Sequence, residues 1–202
     1  MPHGLRRHLA GGLIATIAAL SGCAQPPVPQ DQFYRVQPEW PRTAQATPQI
    51  AGVLEIDRLS ADGLTAGRNI VYVSDTAPHM LAAYNYHFWI EPPTVMLRDQ
   101  LVGFLRAAGI ARIIITPEMR GTPDYVVTGK IHRLERIVGS APAAVVELSL
   151  SVRRSADGRV VMVKSYREKA PVEGESVGDA VIALDRGLQR ILSAFAADLA
   201  QI

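Results

Sequence analysis

The sequence predicts an α+β fold: a mostly antiparallel sheet with two main helices packed on it. Three observations carry this. Residues 143–153 alternate Val145, Glu147, Ser149 and Ser151 against Val146, Leu148, Leu150 and Val152. One polar and one apolar face is the pattern of a half-buried antiparallel strand. Ala156-Asp157-Gly158 then gives a hairpin signal, and residues 160–168 (VVMVKSYRE) read as the return strand. Two stretches carry helical periodicity instead: Leu97, Leu101, Phe104, Leu105 and Ala108, and later Val177, Val181, Leu184, Leu188, Ile191, Phe195 and Leu199. In a domain of this size such stripes are expected to cover the sheet.

Taken in order, residues 1–22 have the layout of a secretory signal peptide. Arg6 and Arg7 form a basic start, residues 9–20 (LAGGLIATIAAL) an uncharged apolar run, and small residues close it. The run is shorter than the roughly 20 apolar residues of a spanning helix. The closing tetrad Leu20-Ser21-Gly22-Cys23 resembles the bacterial lipobox. That resemblance implies that Leu20, Ser21 and Gly22 are read by a signal peptidase. It also implies that the Cys23 thiol receives diacylglycerol and that the new amine is acylated, for example with palmitate. Cys23 is the only cysteine. A lone thiol in an exported chain is otherwise an unpaired liability, which lipidation removes. Two or more acyl chains, at about 0.8 kcal/mol per buried methylene, anchor a protein stably without spanning the membrane. Ala24 follows where, in lipoproteins of this kind, an Asp often accompanies inner-membrane retention, so the resemblance implies the periplasmic face of the outer membrane rather than the inner membrane.

With the leader removed, 19 basic residues face 19 acidic ones, because the leader holds two of the 21 basic residues, Arg6 and Arg7, and no acidic one. The near-zero balance leaves no basic field to argue for nucleic acid. Residues 23–49 read as a proline-rich tether, with Pro26, Pro27, Pro29, Pro38, Pro41 and Pro48; proline fixes φ and cannot donate to a ladder. Phe33-Tyr34-Arg35-Val36 interrupts it and is expected to dock as a short edge strand.

The domain is expected over residues 50–202. Residues 51–57 (AGVLEID), 69–74 (NIVYVS) and 84–90 (YNYHFWI) read as strands, the last rich in aromatics that suit a pleated surface. Pro92-Pro93 starts the first helix and Gly109 ends it. Residues 112–116 (RIIIT) read as a short buried strand and 124–138 as a longer one. The last helix runs from Ser176 toward Ile202.

Few motifs carry chemistry. Gly174-Glu175-Ser176-Val177-Gly178 matches the G-x-S-x-G nucleophile elbow. No histidine follows Ser176, however, and Pro171 separates the preceding strand from the motif. Ser176 reads better as the cap of the last helix, with Asp179 at N3. His79, His87 and His132 have no partner at metal-ligand spacing, and no phosphate loop or dinucleotide fingerprint is present. The expectation is a protein with no catalytic residues, metal or cofactor. Arg133, Arg136, Arg153, Arg154, Arg159, Lys164, Arg167 and Lys169 concentrate on three consecutive strands, as a solvated face or a contact for headgroups or an acidic partner. Whether Glu135, Glu147 and Glu168 meet in space is left open.

Read together, the segments resemble the ABC-type transport auxiliary lipoproteins, the group that includes the third component of the paraquat-inducible lipid-transport system. The match rests on residues 84–97 (YNYHFWIEPPTVML), residues 124–135 (DYVVTGKIHRLE, similar to a D-Y-x-L-x-G strand), and the pair 145–153 and 158–172 with the long terminal helix. Phe33-Tyr34-Arg35-Val36 resembles the family's early aromatic strand. The resemblance implies a non-catalytic component of a lipid transporter. Its partners would be a permease, an ATPase and a substrate-binding protein of the mammalian-cell-entry type, whose periplasmic channel it docks or stabilises at the outer membrane. Self-association into a homo-oligomer is left open. Tyr84, Tyr86 and Trp89 are the expected partner or ligand surface. The alternative is an independent envelope lipoprotein that binds a lipid or small hydrophobic ligand in a pocket under this aromatic strand.

Overall fold

The structure, a computed structural model, describes residues 28–202; Leu20, Ser21, Gly22 and Cys23 lie outside the described residues. Within the unit Asp31–Ile202 the chain runs β1 (Gln32–Tyr34), β2 (Ile50–Ile56), β3 (Ser60–Ala61), β4 (Asn69–Ser74), β5 (Ala77–Trp89), α1 (Pro93–Ala108), β6 (Ala111–Ile115), β7 (Tyr125–Val138), β8 (Ala143–Arg154), β9 (Val160–Pro171) and α2 (Val177–Leu199). The α+β expectation holds: two helices lie on a large curled mixed sheet.

β7 organises that sheet. Along one edge it pairs antiparallel with β8, from Tyr125↔Arg154 to Ile137↔Ala143, and β8 continues antiparallel into β9. Its other edge is shared. The first half takes β2 in parallel (Leu54↔Tyr125 to Ile56↔Val127) and β3 beside Lys130 and Ile131. The second half takes β4 in parallel, from Val71↔Glu135 to Ser74↔Val138. β6 extends the sheet beyond β2, while β5 and then β1 extend it beyond β4. The antiparallel ladders β7–β8 and β8–β9 are the longest, and the parallel pairings are short.

The alternation in β8 works as expected. Val146, Leu148, Leu150 and Val152 are buried in the helix-side core. α2 lays Val177, Val181, Leu184, Leu188, Ile191, Phe195 and Leu199 into the same core, and α1 adds Leu97, Leu101, Phe104, Leu105 and Ala108. Pro93 opens α1, and Gly109 closes it in the left-handed region at φ 67°. Ser176 caps α2. Its hydroxyl accepts the Asp179 N–H at 3.1 Å, while the Asp179 carboxylate accepts the Ser176 N–H at 3.0 Å. This capping box satisfies two otherwise unpaired helix-end donors.

Three features differ from expectation. β6 is an edge strand and not a buried one: among the described residues it pairs only with β2, and Ile113 is 46% exposed. β5 begins at Ala77, seven residues before the aromatic run, because residues 77–83 (APHMLAA) form a hairpin with β4. They lack β-branched residues and carry Pro78, which a sheet tolerates at an edge. Finally, the edge strand expected at residues 33–36 is present as β1, but the proline-rich stretch after it is bound to the domain as well. β1 pairs with β5, Val36 is fully buried, the Gln37 N–H donates to Asp185 at 2.7 Å, and the Gln45 N–H donates to the Ala108 carbonyl at 3.0 Å. Proline excludes regular ladders but not side-chain burial, so composition alone did not separate a docked segment from a free one.

Candidate docking surface and cleft

The aromatic strand is not a regular alternation. Val71 pairs with Ala83 and Asn69 with Phe88, so β5 advances five residues while β4 advances two. This bulge is pinned by the Asn69 side-chain amide, which donates to the Tyr84 carbonyl at 2.9 Å. Extra residues in one strand re-aim its side chains, and here they bring Tyr84 and His87 together at a ring-centroid distance of 5.3 Å.

The three residues expected to share one surface are therefore separated. Trp89 is 1% exposed and belongs to the core. Tyr84 is half-buried against Tyr72, with ring centroids 4.5 Å apart, and its hydroxyl accepts from Arg136 Nη1 at 3.2 Å. Only Tyr86 is open to solvent, at 41%. Beneath the strand, Tyr84 packs on Tyr72 and Trp89 joins the core.

A polar aromatic cluster lies beside Tyr84. The Tyr34 hydroxyl lies 2.6 Å from Gln32 Oε1 and 2.9 Å from His87 Nδ1. Tyr34 has one proton, so both contacts are satisfied when it donates to Gln32 and His87 Nδ1–H donates to it. Burial raises the Tyr34 hydroxyl pKa, which keeps it neutral. Arg136, buried on β7, donates from Nη2 to the Glu175 carbonyl at 2.7 Å, just before α2, while its Nε has no partner among the described residues.

The basic residues do not form one field. Besides buried Arg136, Arg133 Nε binds Glu135 at 2.8 Å, Arg154 pairs with Asp157, Lys164 with Asp198 on α2, and Arg167 with Glu147. Nor do the three glutamates gather: Glu135 and Glu147 take these partners, and Glu168 pairs with Arg190 on α2 at 2.6 Å. Among the described residues no group of three His, Asp or Glu side chains is placed to hold a metal.

A cleft of about 810 Å³ lies elsewhere, where β2, β6 and β7 begin and β8 ends. Ile50, Ala51, Pro123 and Tyr125 form apolar walls, with Arg112 and Arg154 at its sides. Sequence reasoning missed it because its walls come from five separate segments. Next to it, Asp124 explains its place in the D-Y-x-x-x-G pattern. Its backbone N–H donates to the Val53 carbonyl at 2.9 Å and its Oδ2 accepts the Val53 N–H at 2.7 Å, which fixes β2 to β7. The motif's Gly129 is structural too: a Cβ there would stand 2.8 Å from the Ser149 carbonyl oxygen of β8.

The family model for the ABC-type transport auxiliary lipoprotein component matches residues 34–196, and the chain belongs to that family. The match opens at Tyr34 in β1 and closes in α2, so it spans the sheet and both helices. The structure is similar to the crystal structure of a Xanthomonas campestris protein, with 22% identity, a TM-score of 0.72, and coverage of 82% of this chain and 92% of that chain. A second crystal structure, of an uncharacterized protein, shares 13% identity over 85% of this chain and 99% of that chain, with a TM-score of 0.66. A hypothetical protein from Chlamydia trachomatis shares 9% identity over 75% of this chain and 99% of that chain, with a TM-score of 0.51. These likenesses are of fold. No curated protein matches the chain.

Proposed function

We propose that the protein is a lipid-anchored, non-catalytic component of an ABC-type lipid transport system of the mammalian-cell-entry class. Through lipidated Cys23 it is held on the periplasmic face of the outer membrane. There it docks or stabilises the periplasmic channel protein that connects to the permease and ATPase. The observation that carries this reading is the family match over residues 34–196. The open sheet edges support a docking role. Among the described residues β9 pairs only with β8, and β1 covers β5 only from His87 to Trp89. Unpaired edges of this kind accept an extended segment from a partner through main-chain hydrogen bonds. Holding the domain at the membrane raises its local concentration for such a partner.

The test is purification of the protein from its own envelope in mild detergent, followed by mass spectrometry of what accompanies it. Recovery of a permease, an ATPase and a mammalian-cell-entry-type protein is expected. A Cys23→Ala variant should leave the membrane fraction and lose these partners. The second reading, an independent binder of a lipid or small hydrophobic ligand, is favoured by the cleft of about 810 Å³ between Ile50, Tyr125 and Arg112. Recovery of the protein alone with a bound lipid would replace the first reading with the second.

A further inference from the structure

The β1 edge carries an exposed aromatic patch that neither core packing nor the sheet explains. Phe33 is 57% exposed and Ile90 45%, and Tyr86, 41% exposed, lies two residues before Phe88 on β5. Phe33 and Phe88 are register partners with ring centroids 5.8 Å apart. Arg68 lies over the Phe33 ring at 5.8 Å, and its Nε and Nη2 donate to the neutral carbonyls of Trp89 and Ile90. Neither bond neutralises its charge. Aromatic rings beside an arginine, at a surface, are the chemistry of a membrane interface: the rings enter the headgroup boundary and the cation meets phosphate.

Chain length favours the same occupant. Phe33 lies ten residues after Cys23, a reach of at most about 35 Å even when fully extended. A domain of this size is roughly 40 Å across. A lipid on Cys23 therefore holds the β1 edge within about 35 Å of the bilayer, less than the width of the domain.

We infer that Phe33, Phe88, Tyr86 and Ile90, with Arg68, form the surface that the domain lays on the phospholipid bilayer. The inference rests on the lipid anchor at Cys23 proposed above.

The test uses the processed, full-length lipidated protein in vesicles of phosphatidylethanolamine and phosphatidylglycerol. Photoreactive p-benzoylphenylalanine replaces Phe33 in one variant. In a second it replaces Val163, which is 69% exposed on β9. Both sites are exposed, so the fold tolerates the probe, and the mass of the N-terminal peptide reads the lipid on Cys23 independently. Phospholipid adducts at position 33 and their loss at position 163 are expected. Equal labelling at both positions, or adducts from position 33 to protein, would overturn the inference. Cys23 carrying lipid with no adduct at 33 would overturn this inference alone, whereas Cys23 without lipid would overturn the anchor and the inference together.

Discussion

The Asp124 carboxylate occupies the space that a Cβ on residue 52 would need, so the pair exists only because residue 52 is glycine. The carboxylate uses that space to accept the Val53 N–H at 2.7 Å, joining β2 to the start of β7. Gly52→Ala should push the carboxylate away and leave the Val53 donor unpaired. We expect a loss of about 2 kcal/mol, read as a shifted urea midpoint with an unchanged slope. A wild-type midpoint would show that the staple is dispensable.

Asp185 on α2 gives the docked N-terminal segment a pH response. Burial pushes its carboxyl up from 3.8 to about 6, and the Gln37 N–H opposes this only in part. Because the folded pKa is the higher one, the favourable contribution is complete below about 3.8 and is lost as pH rises through about 6. Asp185→Asn keeps an acceptor for Gln37 without the charge. Relative to wild type it should gain on the order of 1 kcal/mol at pH 7, after discounting for partial solvent exposure, and nothing at pH 4. Denaturation curves at both pH values measure this, and a difference independent of pH would refute it.

Trp89 and Tyr86, neighbours in the aromatic strand, should behave oppositely. Trp89→Ala empties a fully buried site and should cost about 3–5 kcal/mol. Tyr86→Ala should stay within about 0.5 kcal/mol of wild type. Thermal melts separate the two, and any loss of partner binding by folded Tyr86→Ala then reports on the surface itself.

Ser176→Ala tests the capping role directly. The loss of the N-cap should destabilise the domain by about 1 kcal/mol. Ser176→Asp, which also caps well, should restore most of it. Failure of the aspartate variant to recover stability would point to a different role for the hydroxyl.

Much of this architecture was legible in the sequence because it is periodic. The α2 stripe from Val177 to Leu199 and the alternation in β8 each repeat often enough to fix both element and buried face. Asp124 and Gly129 were visible as a motif, but their purpose, one pinning β2 and the other admitting β8, depends on strands distant in the chain. The bulge at Tyr84 was not legible. Nothing local announces that β5 slips against β4, and the slip sends Tyr84 and His87 to one side and leaves Tyr86 open. Val36 was hidden in the same way: it is fully buried in the core, although the stretch that carries it is rich in prolines. The cleft beside Tyr125 was hidden because its walls never form one continuous segment.

The attachment of β1 also has a mechanical consequence. β1 runs parallel to β5, with Gln32, Phe33 and Tyr34 matched to His87, Phe88 and Trp89. A pull along the strand from its N-terminal side therefore loads this short ladder in shear, its bonds sharing the force instead of opening one after another. Behind it, buried Val36 and the bond from Gln37 to Asp185 act as a second catch. Tension from that end should be spent on β1 and its two successors while the long β7–β8–β9 ladders stay intact.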